Sequence, residues 1–171
     1  MTDTDLGARA SAAGRARRAV VSWRDAASQQ AQDDLDGLLG LALGFAQQQL
    51  DEHGEFHPFA VAVDTNGQQR MVATDSGDER PDSADLVTTL VSALSAQRDE
   101  LRAAAIVADV RVPELGNDAV RVTLEHSERV ALTVLLPYRR RRRGRGVDYG
   151  DLRAGSASAI LWPPPQPAPP S

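Results

Sequence analysis

Residues 119–146 read AVRVTLEHSERVALTVLLPYRRRRRGRG, and this stretch decides the fold class. Val120, Val122 and Leu124 alternate with Arg121, Thr123 and Glu125. Beyond Ser127-Glu128, the residues Val130, Leu132, Val134 and Leu136 alternate with their neighbours in the same way. A period of two on both sides of a turn marks an antiparallel strand pair with one apolar and one wet face. Pro137-Tyr138 then opens into Arg139, Arg140, Arg141, Arg142, Arg143, Gly144, Arg145 and Gly146.

Upstream of this hairpin, Ala104–Val112 reads as a further strand, with Ile106, Ala108, Val110 and Val112 on one side and Pro113–Asp118 as the connecting loop. A helix capped by Asp82 or Ser83 precedes it, with Leu86, Leu90, Val91, Leu94 and Leu101 as its stripe. Earlier still, Pro58–Val63 and Arg70–Thr74 flank the turn Asp64-Thr65-Asn66-Gly67, a second hairpin, and Asp75–Pro81 is a loop. Leu35, Leu38, Leu39, Ala42, Phe45, Ala46 and Leu50 recur at helical spacing, and Gly54 is the natural stop. Asp33 or Asp34 is the expected cap, unless this helix continues a weaker one over Arg15–Gln32. Gly37, Gly40 and Gly44 each weaken the helix by about 1 kcal/mol relative to alanine, so they imply close packing against another element. Downstream, Val147–Leu152 and Ser158–Trp162 read as short edge pieces.

The pattern predicts an α+β fold. Its antiparallel sheet has five to six strands, with two to three helices mainly on one face. Residues 1–13 are expected to be disordered, 14–162 to form one domain with 139–146 as an arginine-rich loop, and the proline-rich 163–171 to be an extended tail.

Composition removes several kinds of chemistry. The chain of 171 residues has no cysteine, which excludes thiol catalysis, disulfides and thiolate metal sites. All 19 basic residues are arginine, so a Schiff-base or phosphate-loop lysine is absent too. The acidic start Met1-Thr2-Asp3-Thr4-Asp5 lacks the apolar core of a signal peptide, and no apolar run is long enough to span a bilayer. A cytoplasmic protein without membrane contact is the expectation. Residues 1–138 carry 12 arginines against 22 carboxylates, a balance of −10; residues 139–171 carry +5, for the net −5 of the chain. An acidic body repels polyanions over most of its surface, so any such contact is local to the arginine loop.

Three constellations are candidate sites. Arg139, Arg140, Arg141, Arg142, Arg143 and Arg145 could bind an anion or RNA by counterion release. No aromatic platform accompanies them, and an intramolecular role across the acidic body is the alternative. Asp109, Arg121, Glu125 and His126 could do acid–base work if one wet sheet face gathers them. His53 and His57 bracket a carboxylate, Glu55, but Gly54 interrupts the helix and no third ligand lies nearby, so neither a metal nor another cofactor is expected.

Phe56–Asp64 with Asn66-Gly67, Asp118–His126 and Leu135–Arg139 together resemble a group of small actinobacterial α+β proteins, a resemblance that carries no activity with it. The order helix, two strands, helix, three strands is also similar to roadblock-type and profilin-like modules. That resemblance implies a dimerising scaffold or adaptor. The function expected from the sequence is a non-enzymatic interaction module, as a homodimer or with a protein partner. An anion- or RNA-binding protein using the Arg139–Arg145 loop is the alternative, and an enzyme on the open sheet face the second alternative.

Overall fold

The computed structural model describes residues 23–73, 82–144, 146–164 and 169. Residues 1–22, which include the first part of the helix expected over Arg15–Gln32, the loop 75–81, Arg145 and most of the proline-rich tail lie outside these residues.

Residues 23–26 are helical, and a break at Ala27-Ser28 precedes the long helix α1, Gln29–His53. Ser28, not Asp33 or Asp34, is the cap: its hydroxyl accepts from the Ala31 amide at 3.1 Å. Both aspartates lie inside the helix, Asp33 exposed and Asp34 buried. Gly54 ends α1 with φ 74° and donates its amide to the Leu50 carbonyl, a left-handed cap that glycine adopts without Cβ strain.

The sheet follows as β1 (Phe59–Asp64), β2 (Gln69–Val72), β3 (Leu101–Val112), β4 (Asn117–His126), β5 (Val130–Arg140), β6 (Val147–Tyr149) and β7 (Arg153–Ser156). Helix α2, Ser83–Gln97, lies between β2 and β3, with the Asp82 carboxylate accepting from the Ala84 amide. Every pairing is antiparallel, in the spatial order β2-β1-β3-β4-β5-β6, and β7 also pairs with β5.

Among the described residues the sheet has seven strands instead of the expected five to six, because the last edge is interrupted. Tyr149 faces Tyr138 in β6, but Ser156 faces Leu132 in β7, a slip of one residue between the two halves. The Gly150 amide reaches the Pro137 carbonyl at the break. The N–H and C=O of a strand residue point to the same side, so the donor that Pro137 lacks falls on this irregular edge, where a ladder loses least. Ser158–Trp162, expected as an edge piece, is not a strand; its amides are engaged elsewhere.

The alternation of each strand divides the core between two faces. On the front face Val61, Val63, Ala103, Ala105, Val107, Val120, Val122, Leu124, Val134 and Leu136 meet Leu35, Leu38, Ala42, Ala46 and Leu50 of α1. On the back face Ala60, Ala62 and Ala104 meet Leu90 and Leu94 of α2 and Leu161 of the C-terminal segment. The helices therefore cover opposite faces, where the sequence reading put them mainly on one. The alanines are the reason: their small side chains make β1 and β3 apolar on both sides and let α2 pack closely. Ile106, Ala108 and Val110 belong to this back face, while the larger core uses the odd-numbered residues of β3.

Candidate functional site

Helix α1 is held at both ends in a way its dipole favours. At the N-terminus Glu128, in the β4–β5 turn, accepts from the Ser28 amide at 3.2 Å and from its hydroxyl at 2.5 Å. These bonds hold the Glu128 carboxyl below its ordinary range, the Ser28 hydroxyl contributing most. At the C-terminus Arg140 donates to the Gly54 carbonyl at 2.8 Å. A carboxylate at the positive end and a guanidinium at the negative end both stabilise a helix.

One turn into the helix, buried Asp34 receives two parallel bonds from Arg102, at 3.1 and 2.8 Å, and one from His126 Nε2 at 3.0 Å. His126 Nδ1 accepts from the Glu128 amide at 3.1 Å, which places the ring proton on Nε2, facing Asp34. Every polar atom of that imidazole is engaged and the residue is 1% exposed.

Glu125 points the opposite way. Its carboxylate, on a residue 5% exposed, accepts from three consecutive backbone amides: Ile160 at 3.1 Å, Leu161 at 3.0 Å and Trp162 at 2.7 Å. Arg121 shares that back face but is exposed. Asp109 lies on the front face, where Tyr138 donates to it at 2.6 Å; burial pushes the Asp109 carboxyl above its ordinary range. The four residues weighed as acid–base candidates are thus divided by the sheet: Asp109 and His126 in front, Arg121 and Glu125 behind. The signal that misleads is alternation itself, which marks polar side chains as wet without showing which are covered by distant segments.

The arginine loop is partly consumed within the molecule. Arg139 donates to Asn117 at 2.7 Å, Arg140 to Gly54, and Arg141 to Asp148 at 3.0 Å. Arg142 and Arg143 are exposed and make no hydrogen bond or ion pair among the described residues. A cleft of about 310 Å³ separates the loop from the last turn of α1, lined by Asp51, Glu52 and His53 on one side and Arg140 and Arg141 on the other. His53 is exposed, with Glu52 at 3.8 Å, and His57 is exposed as well. Among the described residues no three His, Asp or Glu side chains converge as a metal-binding set.

The outer face of α1 is the remaining feature. Gly40 and Gly44 are exposed, and a Cβ added at either would meet nothing within 4 Å. Close packing inside the fold therefore does not explain them, although at Gly37 such a Cβ would lie 3.0 Å from the Gln69 side chain. Leu41 and Leu43 flank this strip, each half-buried and packed against the core. Leu39 packs against the core, so a charge there disrupts the fold before it tests a surface.

Comparison with known proteins adds no relative: no family model, no curated protein and no solved structure matches this chain.

Proposed function

We propose that this chain is a non-enzymatic, cytoplasmic interaction module that pairs with a second copy of itself through the outer face of α1. The observation that carries the reading is the pair Gly40 and Gly44, one helical turn apart on the exposed side, where an added Cβ would meet nothing within 4 Å among the described residues. Each weakens the isolated helix by about 1 kcal/mol. A glycine pair at this spacing lets two helix backbones approach closely. Two copies meeting on this strip form an isologous contact, the usual route to a closed dimer. No helix among the described residues is long and apolar enough to cross a membrane.

The test is size-exclusion chromatography with light scattering on the unaltered chain and on Gly40→Glu. A Cβ at position 40 meets nothing within 4 Å among the described residues. A dimer that becomes a folded monomer supports the reading; an unaltered chain with the mass of a monomer sinks it.

Arg142 and Arg143 favour a second reading, an anion or RNA site at the arginine loop. Its mark is retention of nucleic acid at low salt, lost when the arginines are replaced by serine.

A further inference from the structure

The C-terminal segment Ala157–Pro164 is held less as packed structure than as a bound peptide. Its Ile160, Leu161 and Trp162 amides go to the Glu125 carboxylate. Its Leu161 carbonyl accepts from Arg98 at 3.2 Å, and its Pro163 carbonyl from Arg129 at 2.7 Å. One anion reads amides and two cations read carbonyls, so five main-chain groups are recognised without regard to side chain. Leu161 supplies the buried anchor: it is 3% exposed and sits against Leu90, Leu94, Ala60, Ala62 and Ala104, with Trp162 half-buried against the same cluster. Its neighbour Ile160 is 53% exposed and contributes little burial. Pro163 has no amide to leave unpaired where the Glu125 contacts end.

We propose that this back-face groove is a peptide-docking site that the chain occupies with its own residues 160–163. Its partner is an extended peptide of another protein, with an aliphatic residue at the anchor and free amides on that residue and both neighbours. Main-chain bonds supply affinity and the apolar contacts of the leucine and tryptophan positions supply selectivity, as in other recognition of extended peptides. The tethered segment competes at high effective concentration, so the site opens to a partner when the segment is released. Glu125 is the part of the site least expected in a plain core: a buried carboxylate whose hydrogen-bond partners among the described residues are all amides of the segment.

The probe is a fluorophore-labelled peptide of residues 157–164, ASAILWPP, followed by anisotropy. The unaltered full chain is expected to bind it at least tenfold more weakly than Leu161→Asp, whose own segment can no longer seat. Adding Glu125→Ala to Leu161→Asp abolishes binding, and so does an aspartate at the leucine position of the peptide. A folded Leu161→Asp that takes up no peptide overturns the proposal. So does a dimer of the unaltered chain that the peptide dissociates, since the occupant is then the segment of a second copy. If Leu161→Asp does not fold, hydrogen exchange on the unaltered chain decides. Amides of Ile160–Trp162 exchanging well ahead of those in β3 and β4 support a releasable segment; equal protection overturns it.

Discussion

His126 donates its Nε2 proton to Asp34 at 3.0 Å, joining the end of β4 to the first turns of α1 across 92 residues of chain. Arg102 closes the arrangement from β3 with two further bonds to the same carboxylate. The three residues pin the long helix to the centre of the sheet, next to the turn where Glu128 holds Ser28. Apolar packing alone leaves a helix free to slide by fractions of a turn; directional bonds to a buried carboxylate do not.

Removing the carboxylate should therefore cost more than removing a surface ion pair. Asp34→Ala leaves the Arg102 guanidinium and the His126 N–H facing each other without an acceptor. The expected loss is about 3 kcal/mol, the scale for breaking a buried pair by deleting one partner. Asp34→Asn, which keeps one acceptor, should lose less. Urea unfolding of the two variants checks the order, and the exposed pair Arg24–Asp36 is the control, with Asp36→Ala changing stability by less than about 1 kcal/mol.

The glycine strip makes a prediction in which stability and assembly move in opposite directions. Gly40→Ala with Gly44→Ala fills space that the fold leaves empty. The helix should gain about 1 kcal/mol at each position. If two helices meet there, the added methyl groups hold them apart and the dimer weakens. Thermal unfolding at a concentration where the chain is monomeric should show the gain, and light scattering the loss. A gain without change in mass would mean that the glycines serve no interface.

How much of this is legible in the chain depends on the range of the interaction. The β4–β5 hairpin, the Asp64-Thr65-Asn66-Gly67 turn and the Asp82 cap are visible because each is decided within about ten residues. Asp64 shows the principle: its carboxylate accepts from the Asn66 and Gln68 amides and from Arg70, all within six residues of it in the hairpin it opens. Ser28 is hidden by Asp33 and Asp34, which are equally good caps by residue type. What separates them is that Asp34 is wanted by Arg102 and His126, residues far along the chain. Glu125 and His126 look like solvent-facing neighbours at a turn for the same reason. Their covers, residues 160–162 and Asp34, come from the two ends of the described chain. The small residues Ala60, Ala62 and Ala104 give no strong signal of a second core, yet they create the back-face groove.

Asp64 also predicts an acid response. Its carboxyl lies below the ordinary range, chiefly through the Gln68 amide, with the Arg70 and Asn66 bonds adding to this against the opposing effect of burial. A carboxyl with a lowered native value stabilises the fold above its unfolded value and loses that contribution as pH falls through the native one. Asp64→Asn should therefore unfold at lower temperature near neutral pH. The difference from the unaltered chain should shrink in acid, below about pH 4, where the unfolded aspartate takes up its proton. Melting curves across that range measure it.

Asp109 should behave in the opposite sense. Burial raises its carboxyl, and the bond from Tyr138 only partly offsets this. The native state then holds a proton that the unfolded chain has already released, so stability falls as pH rises from the ordinary aspartate value through the raised one. Asp109→Asn keeps an acceptor for the Tyr138 hydroxyl and removes the charge. It should be more stable than the unaltered chain at neutral pH, and the gap should close on acidification toward about pH 4. Tyr138→Phe removes the opposing bond and should deepen the destabilisation at neutral pH, leaving the carboxylate without the 2.6 Å donor. Thermal melts of the three proteins across this range separate the terms: equal pH dependence in all of them would show that Asp109 is fully hydrated and that its contact with Tyr138 is without consequence for the fold.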